Sequence, residues 1–268
     1  MAPPNIESYL SRIGLDPRAV RTADRDTLET VQRAHVTSVP FETLAVTGDP
    51  FGPDPGEGVT LTLPHLYGKI VGRERGGFCF ELNGLFGWLL AELGFDADRI
   101  AARMLSDDGD PRPPANHHSH LVDLGRRYVV DVGCGVPSMR RPLPLDGTAV
   151  SDAAGVEWRV VESERPDADY LTQCRSPGDE EWTDRYVFDA TPRKLCYFEA
   201  TCDYLATAPE SGFTGDPTVS IATERGHLKL SPEKLTRSER GDRSECEITE
   251  DEWDDLLESE FGLRYGSV

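Results

Sequence analysis

Residues 75–94 constrain the fold of this chain more than any other stretch. Arg75-Gly76-Gly77-Phe78-Cys79-Phe80-Glu81-Leu82-Asn83-Gly84 opens with a turn-forming glycine pair and delivers a cysteine to the start of a helical pattern. Apolar side chains recur at Leu82, Leu85, Phe86, Leu89, Leu90 and Leu93, the spacing of an amphipathic helix, and Gly94 stands where a C-terminal cap belongs. Cys79 therefore falls in the first helical turn. Unpaired N–H groups and the helix dipole favour a thiolate there, and Arg75 adds a positive charge just upstream. The bland alternative is a buried packing cysteine, the usual fate of a free thiol. Gly84 and Gly87 each weaken a helix by about 1 kcal/mol relative to alanine, which implies that another backbone packs closely against this one.

The segments before this helix are also mainly helical. Residues 6–20 hold a short helix (Ile6, Tyr9, Leu10, Ile13) stopped by Gly14 and Pro17, and a second starts after the capping residue Asp24 and runs to His35. Val39-Pro40-Phe41-Glu42 breaks helicity and is extended, residues 47–58 form an exposed loop, and another helix starts near Pro64. Past Gly94 the texture changes to short strands at Ile100–Leu105, His117–Leu124, Tyr128–Val132, Trp158–Val161, Leu171–Cys174 and Tyr186–Phe188. Strands of this length and spacing suggest a small sandwich or barrel. A helical connector spans 190–210, strands follow at Thr218–Thr223 and His227–Leu230, and a last helix covers about Glu250 to Phe261.

Charge excludes whole classes of partner. The 268 residues carry 48 carboxylates against 28 cations, a formal charge of −20, which argues against nucleic acid and against anionic membranes. Aromatic and aliphatic residues spread along the whole chain exclude disorder. Such a surface suits concentrated salt, where a Debye length of about 3 Å at 1 M screens self-repulsion. The six cysteines are scattered with no CxxC pair, which disfavours a zinc ribbon. With no signal-peptide pattern and no apolar run of membrane-spanning length, a reducing cytoplasm with free thiols is expected.

A nucleophilic cysteine needs a base, and the base needs a group to fix its tautomer. Asn116-His117-His118-Ser119-His120-Leu121-Val122-Asp123 offers imidazoles on one strand, and Val130-Asp131-Val132-Gly133 offers a carboxylate ending the next. Two readings compete with this one. His118 and His120 share a strand face and with an Asp could bind zinc; alternatively, at least one of the three histidines lies on the surface beside a loop.

These residues resemble the arylamine N-acetyltransferase family. Arg75-Gly76-Gly77-Phe78-Cys79-Phe80-Glu81-Leu82-Asn83-Gly84 resembles the RGGxCxELN nucleophile motif, and Val39-Pro40-Phe41-Glu42 resembles the PFEN segment, with Thr43 in place of Asn. Asn116-His117 with Leu121-Val122 is similar to the family's His strand, and Asp131-Val132-Gly133-Cys134-Gly135 to its DVGxG segment. The similarity is close to residue 135 and looser to about 240.

The resemblance implies an α+β fold with a papain-like Cys-His-Asp arrangement. Its parts are a helical bundle (1–94) carrying Cys79, a β-barrel (95–188) carrying His117 and Asp131, a connector (189–210) and an α/β lid (211–268). It implies acetyl-CoA as cosubstrate, no permanently bound cofactor, and a small aromatic amine or hydrazine as acceptor. Gly133 and Gly135 either let the backbone approach the cosubstrate or only shape a turn, and Ser211 is a weaker candidate for the same contact. Cys134 is an inert packing residue or an oxidation partner, and Cys202 replaces a common Asn. Glu42 and Arg75 are expected to pair beneath the cysteine loop.

Ladder geometry leaves the choice of histidine open. A two-residue Gly125-Arg126 turn sets His120 opposite Asp131, whereas motif spacing favours His117, which then needs a longer turn, a bulge or a bend. Rival activities with the same triad are amide synthesis and transglutaminase-like hydrolysis. A non-catalytic CoA-binding protein is the rival from another class.

Overall fold

The helix at Cys79–Glu92, α5, lies at the centre of the N-terminal half, and the elements before it pack round it. The computed structural model describes residues 3–53, 55–106 and 108–265. Helix α1 (Ile6–Arg12) starts at Asn5, whose Oδ1 accepts the Ser8 N–H, and α2 (Arg25–Ser38) starts at Asp24, whose carboxylate accepts the Thr27 N–H. After strand β1 (Phe41–Glu42) and the single turn α3 (Leu44–Thr47) comes α4 (Leu63–Tyr67), continued by a π-helical turn over Gly68–Gly72. Contrary to the amphipathic pattern expected of it, α5 is buried nearly all round, Glu81 and Asn83 included; only Ala91 and Glu92 at its C-terminal end are exposed. Neighbours on several sides leave it no solvent stripe.

The eight strands after α5 form one antiparallel sheet curled into a nearly closed barrel, in the order β5-β4-β3-β2-β9-β8-β7-β6. The long strands are β2 (Asp96–Met104), β3 (His117–Asp123), β7 (Glu157–Glu162), β8 (Tyr170–Arg175) and β9 (Thr183–Pro192). The shorter ones are β4 (Arg127–Val130), β5 (Leu143–Pro144) and β6 (Val150–Ser151). Ile100, Leu121, Val129, Trp158, Val160 and Phe188 fill the barrel core. Strand β9 crosses residue 188, where the sequence pattern divides barrel from connector.

Helix α6 (Glu199–Thr207) leads to a second sheet of order β1-β10-β11-β12-β13. Its strands are β10 (Val219–Ala222), β11 (Gly226–Ser231), β12 (Lys234–Glu239) and β13 (Asp242–Glu247). β1 pairs Phe41 with Ser220, so the N-terminal segment supplies an edge of the C-terminal sheet. Helix α7 (Glu250–Phe261) covers this sheet with Trp253, Leu257 and Phe261 against Leu228, Leu230 and Leu235. No helix among the described residues is long and apolar enough to cross a membrane.

Candidate active site

The loop before α5 is locked onto β1. The Glu42 N–H donates to the Gly77 carbonyl (3.0 Å) and the Gly77 N–H to the Pro40 carbonyl (3.2 Å). Only glycine fits at 76, because a Cβ there would stand 2.2 Å from the Pro40 oxygen. Beneath the loop lies a buried ionic group that sequence reasoning grasped only in part. The expected Arg75–Glu42 pair is present (Nη2–Oε1, 2.8 Å), and the fully buried Lys69 adds itself, 2.8 Å from Glu81 and 3.3 Å from Glu42. Burial alone would raise the Glu42 carboxyl, but Lys69 and Arg75 hold it below its usual range. The Glu81 carboxylate also accepts the Phe78 N–H at 3.2 Å, so the ionic group caps the helix that begins with Cys79.

Three residues, Leu124-Gly125-Arg126, join β3 to β4, one more than the two-residue reading, with Gly125 at φ +78. Asp123 therefore faces Arg127, and His120 faces Val130 in place of Asp131. Continuing that register sets Asp131 opposite Ser119, on the face His117 shares. His117 Nε2 and Asp131 Oδ2 meet at 2.6 Å, both side chains buried. The longer turn thus resolves the choice of histidine in favour of His117 as the partner of Asp131.

Asn83, four residues after Cys79 on the same helix face, ties this hairpin to α5. Its Nδ2 donates to Asp131 Oδ1 (2.9 Å) and to the His118 carbonyl (2.7 Å), while its Oδ1 accepts the Val132 N–H (3.0 Å). Burial would raise the Asp131 carboxyl; His117, Asn83 and the Gly133 N–H, 2.8 Å away, hold it below its usual range. Sequence reasoning passed over Asn83 as an anchor, although its spacing from Cys79 was the available signal.

Cys79 Sγ lies 3.9 Å from the carbonyl oxygen of Asn116, the residue before His117. Burial pushes its thiol well above the usual range, with Cys202 and Asp131 adding to the rise and the Phe80 N–H opposing it. The expected contribution of Arg75 is absent. That guanidinium is committed to Glu42 and sits 4.4 Å over the Tyr265 ring. Ionising Cys79 therefore requires a base to take its proton.

His118 and His120 occupy the other face of β3, against α5, and none of the three histidines is on the surface. His118 Nε2–H donates to the Phe80 carbonyl at 3.3 Å, and burial holds both imidazoles well below the usual histidine range. No three His, Cys, Asp or Glu side chains converge in a metal-binding group among the described residues. A Cβ at Gly87 would stand 2.5 Å from His120 Nε2, so this glycine admits a side chain of the hairpin and not the backbone expected there. Gly84 instead admits Leu66 of α4 at 3.0 Å.

Cys79 and His117 line a cavity of about 510 Å³, with Phe41, Met104, Leu205 and Phe213 among its apolar walls. Gly133 lines it too, and a Cβ there would stand 2.8 Å from Cys79 Cα. Gly135 is outside that lining and serves a turn at φ +70, its carbonyl accepting the Ser138 hydroxyl at 2.8 Å. Ser211 borders the cavity, but its hydroxyl donates to the Leu205 carbonyl at 2.6 Å. Burial pushes the Cys134 thiol well above its usual range and the Cys202 thiol up to about 12; both have the character of packing residues.

Known proteins share both the sequence and the fold. A sequence model of the N-acetyltransferase family matches residues 24–267. The arylamine N-acetyltransferase of Mycolicibacterium smegmatis is 33% identical over 239 residues, covering 86% of this chain and 81% of that protein. The structure of the Mycobacterium abscessus arylamine N-acetyltransferase superposes with a TM-score of 0.87 at 28% identity, covering 98% of this chain and 91% of that one. The Mycobacterium marinum arylamine N-acetyltransferase, solved in complex with CoA, gives 0.83 at 27% identity, covering 96% and 92%. Similarity along nearly the whole chain, in a fold that sets a cysteine and a histidine on one cavity with a buried aspartate bound to that histidine, places this chain in the arylamine N-acetyltransferase family.

Proposed function

We propose that this chain transfers an acetyl group from acetyl-CoA to the nitrogen of an arylamine, arylhydrazine or N-hydroxyarylamine, through an acetylated Cys79. The observation that carries this reading is the 2.6 Å contact between His117 Nε2 and Asp131, with His117 and Cys79 on one cavity. With Nε2–H donated to the carboxylate, Nδ1 is left as the acceptor for the Cys79 proton. The thiolate attacks the thioester carbonyl; the tetrahedral adduct collapses, the C–S bond to CoA breaks, and the imidazolium returns its proton to the leaving thiolate. An aromatic amine, unprotonated at neutral pH, then attacks acetyl-Cys79, the imidazole takes the amine proton, and the Cys79 thiolate departs. The Phe80 N–H, which faces the Cys79 sulfur, stabilises the attacking thiolate.

Intact mass after incubation with acetyl-CoA tests the first half-reaction. One acetyl adduct is expected on the unaltered chain and none on Cys79→Ala; an adduct surviving that substitution would overturn the assignment. Amine-dependent release of CoA separates transfer from hydrolysis. The charge of −20 and the six free cysteines further support a protein of a reducing, salt-rich cytoplasm. Its melting temperature should rise with KCl, and a flat dependence would remove the salt part of this reading.

A further inference from the structure

The charge balance of the chain inverts around Cys79. Carboxylates outnumber cations 48 to 28 overall, yet Arg112, Arg185 and Lys229 line the cavity against a single carboxylate, Glu210. Some arginines elsewhere are committed to ion pairs, Arg140–Asp152 and Arg237–Glu260 among them; among the described residues the three cavity cations form none. Arg185 Nε is buried without a partner.

Lys229 also borders a second hollow of about 460 Å³, where the Ser176-Pro177 turn of the barrel meets β11, β12 and β13. His227, Arg240 and Arg243 line it against one carboxylate, Asp179, although Arg243 also pairs with Glu245 at 2.5 Å. Burial together with Arg140, Arg243 and Lys229 holds the His227 imidazole below its usual range, as a region of positive potential requires. The β12–β13 turn closes on the barrel here, since a Cβ at Gly241 would stand 2.9 Å from the Pro177 carbonyl oxygen.

Arg240 is the telling residue. It precedes Gly241 in that turn at φ +49, with Gly241 at φ +95, positions that glycine, asparagine and aspartate favour. An arginine held in a left-handed conformation, in a hollow already rich in cations, points to a use for its guanidinium.

We propose that this second hollow seats the phosphates of the nucleotide half of acetyl-CoA, with the thioester arm passing Lys229 to reach Cys79. The inference rests on acetyl-CoA being the donor. A chain of net charge −20 repels a polyanion at long range, so a local excess of cations, with Lys229 and Arg240 outside any ion pair among the described residues, is the means of holding one. Lys229, common to both hollows, marks where the arm turns from one into the other.

The test compares two acetyl donors, acetyl-CoA and p-nitrophenyl acetate, which has no phosphate. Arg240→Asn installs a residue the turn prefers while removing the guanidinium. The ratio of kcat/KM for acetyl-CoA to kcat/KM for p-nitrophenyl acetate is expected to fall about tenfold in Arg240→Asn, the worth of one charged hydrogen bond. It should fall further in Arg240→Asn/Lys229→Gln. Because a ratio is read, any loss of folded protein cancels. An unchanged ratio in both variants would overturn the proposal and leave the donor reading intact. Acetylation of the unaltered chain by p-nitrophenyl acetate but not by acetyl-CoA would instead overturn the donor reading, and this inference with it.

Discussion

A β-carbon on Gly133 would stand 2.8 Å from Cys79 Cα and 2.9 Å from the Cys79 carbonyl oxygen. The strand end that carries Asp131 and the helix end that carries Cys79 are thus in backbone contact, and glycine is what lets them touch. Gly133→Ala should force the two apart by a fraction of an ångström to an ångström. A displacement of that size in a catalytic constellation costs about 100-fold in rate. The expected result is a large fall in kcat with the fold retained by circular dichroism. Activity near that of the parent would mean that the contact is slack.

The two faces of β3 separate chemistry from packing. His117→Gln removes the imidazole bound to Asp131 and should lower kcat/KM by about 10²–10⁴, the range for loss of a general base. His120 lies on the opposite face, its ring centroid 6.5 Å from that of Phe86. His120→Gln should therefore cost about 1–3 kcal/mol of stability, with activity per folded molecule retained. Steady-state kinetics on both variants, normalised to the folded fraction, checks the assignment; intact activity in His117→Gln would remove it.

Much of this arrangement is legible in local pattern, and what escapes it depends on distant partners. The last helix is readable because Thr249, Glu252 and Gly262 mark its ends, and the Cys79 helix because its apolar spacing and glycines are local. β12 and β13 are missed because Lys234–Glu239 and Asp242–Glu247 are dominated by polar residues, with β13 wholly exposed at a sheet edge. Lys69 carries no local sign of burial, since its burial depends on Glu42 and Glu81, from other elements. Leu124 reads as the end of a strand, and only the full ladder shows that it belongs to the turn. Cys79, His117 and Asp131 are candidates from motif spacing, whereas the pairing of His117 with Asp131 needed the register.

Three buried histidines make stability sensitive to mild acid. His35, His118 and His120 are held neutral by burial, their pKa values below the usual 6.5, with His35 lowered to about 3. In the unfolded chain each takes up a proton near pH 6.5, so below that pH the unfolded state binds more protons than the folded one. The stabilisation is therefore complete above about pH 6.5 and is lost as pH falls from there, for His35 toward about 3. Asp131 and Glu42, with depressed carboxyl values, add losses only below about pH 4.5. Calorimetry should show the melting temperature falling from pH 7 to pH 5. His35→Gln, which keeps an acceptor for the Tyr9 hydroxyl now 3.0 Å from Nδ1, should reduce that slope. A melting temperature constant over this range would contradict the account.

Lys69 is the strongest test of the ionic group under the cysteine loop. Its Nζ is wholly buried, 2.8 Å from Glu81 and 3.3 Å from Glu42, so Lys69→Met leaves Glu81 without a cation and Glu42 with Arg75 alone. Truncating one partner of a buried pair costs about 3–5 kcal/mol, because the remaining charge has lost its compensation. The loss should reach the active site as well, since the Glu81 carboxylate holds the Phe78 N–H immediately before Cys79. Adding Glu81→Gln removes a negative charge along with the positive one and keeps a side-chain acceptor for that N–H. The double variant should therefore be more stable than Lys69→Met alone and recover part of its activity. Urea titrations of the three proteins measure this directly; a Lys69→Met variant as stable as the parent would show that the two buried carboxylates need no cation from Lys69.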